Sequence, residues 1–275
     1  MNGAELREAM RSGRTVYGTM VTLVTGPRWG AVFGRLGFDY VIIDTEHSPY
    51  GRDQVADMAA TFRTAGIAPI VRIPYPEPYQ ARMAVDAGAH GILAPYVESP
   101  EEVRQVVAAA RYRPLKGTLL NQVGQGGQVS GGDGAGPAGQ DGEVLGYLER
   151  FNQNHVVIVG IESVPAIDRL DEILAVPGID ATFIGPHDLS ISLGIPEQYD
   201  HPRFQEAVSH IIATSQAKGI PAGGHWFQLE QVRRWQGEGS RFILYSSDGR
   251  ALSEGYRRDL DALKGAATEA ERHTI

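Results

Sequence analysis

Short apolar runs rich in β-branched residues recur along this chain, and each is followed by a stretch with helical periodicity. That alternation is the signature of repeated βα units around a parallel sheet, and no other feature constrains the fold as strongly. The runs predict eight strands, over Thr15 to Thr22, Tyr40 to Asp44, Ala68 to Arg72, Gly91 to Ala94, Val156 to Glu162, Ala181 to Ile184, Pro221 to Gly223 and Arg241 to Tyr245. Between them lie amphipathic segments such as SPEEVRQVVAAARY, where Ser99 can cap, Pro100 suits the first turn, and Val103, Val106 and Val107 fall on one face. Eight such units predict a single (β/α)8 TIM barrel over residues 1–275, a length that barrels commonly reach.

The competing topology is an open doubly wound sheet, which places phosphate-binding glycines between its first strand and first helix. Here that turn reads TGPRWG. The G-x-G-x-x-G match at Gly134, Gly136 and Gly139 lies in glycine-rich low complexity with no strand before it, so it reads as accidental. Residues 124–142 are instead expected to form a long flexible Gly-rich loop after the fourth βα unit, either disordered or a lid.

Composition narrows the chemistry. The chain has no cysteine, which excludes disulfides, a thiol nucleophile and thiolate zinc sites. A net charge of -8 argues against a nucleic-acid backbone as partner. No apolar run approaches the roughly 18 residues of a membrane span, and the opening MNGAELREAMRSGRT lacks the hydrophobic segment of a secretory signal. A cytoplasmic protein acting on small molecules is the expectation.

In a barrel the carboxyl ends of the strands share one mouth, so polar residues placed there converge. Those ends supply Asp44, Glu46 and His47 after the second strand, Arg72 after the third and Glu162 after the fifth. Asp188, His225 and Asp248 follow the sixth, seventh and eighth. Singly, each has a plainer role: Asp44 caps a turn or orients a neighbour, Asp248 caps the next helix, and His225 packs. Together, Glu162 and Asp188 would repel without a cation, and oxygen ligands suit a hard divalent ion such as Mg²⁺, Mn²⁺ or Co²⁺. Arg72 either pairs with Glu46 or meets a developing oxyanion, and His47 is the candidate general base.

The blocks GFDYVIIDTEHSPYG, PIVRIP, AVDAGAHGILAPYVESPEEV, GIES and VPGIDATFIGPHDLSISLG stand in the order and spacing of the HpcH/HpaI family of metal-dependent 2-oxo acid aldolases. The chain resembles that family from about Gly18 to Asp248. The resemblance implies a barrel of the phosphoenolpyruvate/pyruvate-binding type, with the last helix, within 249–275, swapped between subunits and hexamers built from dimers. It places the metal on Glu162 and Asp188, the catalytic histidine at His47 and the enolate-stabilising arginine at Arg72. It also places at Asp86 the aspartate that raises the histidine's basicity. The oxo acid is expected against Arg72, Gly160, Gly185, Pro186, His187 and Asp188, with Glu46 and Asp44 behind them. The implied reaction cleaves a 4-hydroxy-2-oxo acid into a pyruvate-type enolate and an aldehyde, with a divalent metal and no organic cofactor. A Schiff-base route is disfavoured independently, because Lys116, Lys218 and Lys264 are the only lysines and none ends a predicted strand.

Three positions depart from the family: Gly160 stands where a glutamine is usual, Leu119 where a loop arginine is usual, and His187 where a small residue is usual. They suggest a changed or larger acceptor pocket around a retained reaction. Oxaloacetate decarboxylation, or capture of the enolate in another bond-forming step, is the nearest alternative. A metal-dependent hydrolase is weakened because no H-x-H pair ends the first strand, and a non-catalytic oxo-acid-binding protein is the alternative of another class.

Overall fold

In a computed structural model of the chain, eight parallel strands close on one another in chain order. They are β1 (Val16–Val21), β2 (Tyr40–Asp44), β3 (Ala68–Arg72), β4 (Gly91–Ala94), β5 (Val156–Gly160), β6 (Ala181–Ile184), β7 (Ala222–Trp226) and β8 (Phe242–Ser247). The structure describes residues 1–118, 120, 146–148 and 150–272, and side chains as far as 265. The glycine-rich segment 124–142, its three spaced glycines and Leu119 lie outside the described residues.

Strands buried on both faces need apolar residues at nearly every position, and β2 obeys: Tyr40 to Asp44 are all buried. Ile42 points into the barrel with Met20, Ile70, Leu93, Ile158, Phe183 and Leu244, while Val41 and Ile43 face the helices. Leu6 and Met10, from the N-terminal helix Gly3–Arg11, join the inner cluster and plug the end where the strands begin. Tyr40 and Phe242 stack there at 4.4 Å. The opposite end has no plug of this kind among the described residues, and that is where the mouth opens.

The helix Pro100–Arg111 forms as its sequence demands. Ser99 accepts from the Glu102 amide, the Glu102 carboxylate accepts from the Ser99 amide at 3.0 Å, and Pro100 occupies the first turn. Val103, Val106 and Val107 are buried together. Loss of such a cap costs about 1 kcal/mol.

Strand bounds differ from expectation at the mouth. β5 stops at Gly160, leaving Glu162 beyond the ladder, whereas β7 runs on to Trp226 and β8 to Ser247. His225 is therefore a strand residue paired in register with Leu244, not a residue following the strand. No helix among the described residues is long and apolar enough to cross a membrane.

Candidate active site

The register of β2 on β3 sets Asp44 directly beside Arg72. Arg72 Nε donates to Asp44 Oδ1 at 2.9 Å and its Nη2 lies 2.9 Å from Oδ2, a two-point clamp on a buried carboxylate. The remaining Nη1 lies 2.9 Å from Glu46 Oε2. Asp44 Oδ1 also accepts from the Glu46 and His47 amides at 3.1 and 3.4 Å, so it shapes the turn that carries both residues. Both plain roles considered for Asp44, turn cap and orienter, are present in one carboxylate. The pairing of Arg72 with Glu46 is likewise observed. Burial raises the Glu46 carboxyl above its ordinary range, against the charges of Arg72 and His47.

His47 is exposed and its Nε2 lies 3.7 Å from Glu46 Oε1. Arg72, His47 and Asp188 line one cavity of about 480 Å³, together with Phe183, Gly185, Pro186, His187, His225 and Phe227. The strand-end residues of β2, β3, β6 and β7 thus do converge.

Glu162 is 3% exposed. Its Oε2 accepts from the Tyr96 amide at 3.1 Å, and burial pushes the carboxyl up to about 8, with repulsion from Asp188 adding to it and Arg72 opposing it. Gly185 explains how the carboxylate reaches its place: a Cβ there would stand 2.5 Å from Glu162 Oε1. Among the described residues no group of three or more His, Asp or Glu side chains is arranged to hold a metal ion. Two converging oxygen donors, one buried and one lining an open cavity, nevertheless fit a hard ion that keeps water or substrate in its other positions.

Asp86 lies elsewhere within the chain. It ends the helix Pro78–Asp86, is half exposed, pairs with Arg113 Nε at 2.7 Å and lines a different cavity with Arg82 and Lys116. The carboxylate beside His47 in a single chain is that of Glu46. Asp248 is also more than a cap: its carboxylate accepts from the amides of Thr22, Leu23, Val24 and Gly249 and from the Thr22 hydroxyl, so it ties the loop after β1 to β8. Gly160 leaves no spare room, because a Cβ there would stand 3.0 Å from Pro95 Cα and 3.1 Å from Glu162 Cδ. His187 is exposed, its Nδ1 3.6 Å from Glu197 Oε1. No lysine among the described residues lines the cavity.

One contributor escaped the sequence reading. Tyr96 follows β4 with φ +52°, a left-handed conformation that non-glycine residues adopt at a cost. Its amide donates to Glu162 at 3.1 Å, so a loop residue braces one of the acids of the mouth. The only sequence signal was a hydroxyl-bearing aromatic in the loop after a strand end.

Residues 26–254 match the model of the HpcH/HpaI aldolase/citrate lyase family. The 5-keto-4-deoxy-D-glucarate aldolase of Escherichia fergusonii is 32% identical over 235 residues, 85% of this chain and 86% of that one. The crystal structure of an HpcH/HpaI aldolase from Desulfitobacterium hafniense superposes with a TM-score of 0.79 at 27% identity, covering 94% of this chain and 96% of that one. The citrate synthase SbnG superposes with the same TM-score at 27% identity, covering 96% and 98%. With the fold and family agreeing over most of its length, the chain belongs to the HpcH/HpaI aldolase/citrate lyase family and is a lyase.

Proposed function

We propose that the chain is a divalent-metal aldolase that cleaves, or forms, 4-hydroxy-2-oxo acids. The observation that carries this reading is the convergence of buried Glu162 with Asp188 beside the Arg72 and His47 pair. A divalent ion held by the two carboxylates would act as Lewis acid on the oxo acid.

The chain's own residues supply the rest. His47, exposed to the cavity and next to Glu46, takes the proton of the C4 hydroxyl. The oxygen's electron pair becomes the aldehyde carbonyl as the C3–C4 bond breaks, and the bonding pair passes into the pyruvate unit as its enolate. Arg72 keeps one face toward the cavity and stabilises the negative oxygen, while Asp44 and Glu46 fix its plane. A proton returned to C3 completes pyruvate, and the aldehyde leaves by the same mouth.

Similarity to the citrate synthase SbnG favours one second reading, capture of the same enolate by another carbonyl compound. Assembly is part of the proposal. The C-terminal helix Asp248–Arg272 exposes Leu252, Tyr256, Leu260 and Leu263 along one stripe, which supports packing on another copy of the chain.

The test is pyruvate release from a 4-hydroxy-2-oxo acid in the presence of Mg²⁺ or Mn²⁺, followed by a coupled lactate dehydrogenase assay. Release that stops with chelator and returns with metal is expected. Release indifferent to chelator, or none with any 4-hydroxy-2-oxo acid tried, contradicts the reading.

A further inference from the structure

His225 stands in the wall of the active-site cavity, yet it has no part in the reaction proposed above. Its Nε2 lies 2.9 Å from the backbone carbonyl of Ser246. A carbonyl only accepts, so in that contact Nε2 carries the hydrogen. Burial pushes the imidazole down to about 4, with Arg72 and Arg250 acting in the same direction. The neutral ring therefore has Nε2 committed as donor and Nδ1 left as a bare acceptor, for which the described residues supply no hydrogen-bond partner.

The surroundings fix this state. The ring lies 4.3 Å from that of Phe227, and the Arg250 guanidinium lies over the other ring at 4.9 Å. Phe183 lines the same cavity. Among the described residues lining it, the one guanidinium is that of Arg72, whose three nitrogens are already directed at Asp44 and Glu46. Around His225 the cavity thus presents the Phe183 and Phe227 rings and one imidazole acceptor, with Thr22, His187 and Ser247 elsewhere in the lining; among the described lining residues no second guanidinium stands beside Arg72, which is assigned to the enolate oxygen, to meet a carboxylate on the aldehyde.

From that geometry we infer that His225 selects the aldehyde fragment, accepting a hydrogen bond at Nδ1 from a hydroxyl next to the carbonyl. The preferred partner is a neutral 2-hydroxyaldehyde. An aldehyde with a terminal carboxylate would set an acceptor against an acceptor at this wall, and an unsubstituted one would leave Nδ1 desolvated and unpaired. The inference rests on the aldolase reading.

The experiment measures aldol addition of pyruvate to glycolaldehyde, propanal and succinate semialdehyde. The wild-type chain is expected to favour glycolaldehyde over propanal by roughly tenfold in kcat/KM, mostly through KM, and to place succinate semialdehyde last. In His225→Leu the glycolaldehyde-to-propanal ratio falls to about one; in His225→Gln, which keeps an acceptor oxygen, part of the preference remains. The wild-type ratio decides even if neither variant folds. A ratio near one in the wild type, or a full preference surviving in His225→Leu, overturns the inference. Exchange of the pyruvate methyl protons in D₂O separates the two failures. Exchange with no hydroxyl preference overturns the role of His225 alone, whereas no exchange removes the aldolase reading and this inference with it.

Discussion

Buried carboxylates occur at both ends of this barrel, and they are treated differently. At the end where the strands begin, Asp180 faces Arg7 at 2.9 Å, pairs with Arg111 and accepts the Val157 amide at 2.8 Å. At the mouth, one guanidinium, that of Arg72, serves Asp44 and Glu46 directly, and Glu162 receives a single amide. At the closed end the buried carboxylate meets two guanidiniums and a backbone amide, so its charge is fully paired, as a buried structural ion pair must be. At the mouth Glu162 has no guanidinium of its own, and burial beside Asp188 makes its charged form costly without a cation, favouring the protonated form instead. Evolution tolerates such an imbalance where the missing charge arrives with function.

The sharpest way to break this contrast is Glu162→Gln. It should cost roughly a thousandfold in turnover, about 4 kcal/mol, without lowering the melting temperature of the chelated protein. Asp180→Ala should do the reverse. Stripping a buried partner from two guanidiniums is expected to cost about 3 kcal/mol of stability, read by urea denaturation, with specific activity of the folded enzyme unchanged. If Asp180→Ala also abolished turnover, the two ends would not be separable.

Next in size is a pH effect. Glu162 is pushed from its ordinary 4.5 up to about 8, so between those values the folded chain holds a proton that the unfolded chain has released. Stability of the chelator-treated protein should therefore fall as pH rises through that window. Glu162→Gln should flatten the slope, and denaturation curves at several pH values check both. The smallest expected effect is that of Gly185→Ala, whose Cβ would push Glu162 Oε1 aside. It should weaken metal activation by about tenfold while moving the melting temperature little.

Much of this was legible in the sequence because a barrel forces strand ends together. β2, β3, β4 and β6 have the bounds that apolar runs alone predict, and Asp44, His47, Arg72 and Asp188 follow from them. The seventh strand shows where such reading stops. PAGGHW looks weak because glycine lacks a side chain to pack, so the expected strand ended at Gly223. In the barrel that glycine is required, since a Cβ there would stand 1.5 Å from the Phe242 carbonyl oxygen, and the strand runs on to Trp226. His225, expected at the mouth as a residue following the strand, is therefore within β7 itself, in register with Leu244. Tyr96 was hidden for another reason: its role depends on a left-handed backbone angle in a loop, which no periodicity encodes. Asp86 came from resemblance alone, and its position on the far end of a helix pairs it with Arg113 within the chain.

The central claim is that the Glu162 and Asp188 pair at the mouth makes the chain generate a pyruvate enolate. Incubating the protein with pyruvate in D₂O and following the methyl signal by NMR tests it most directly. Loss of that signal with Mg²⁺ or Mn²⁺, absent with chelator and absent in Glu162→Gln, is the predicted result. Retention of the methyl protons with every metal, or equal exchange in Glu162→Gln, would contradict it.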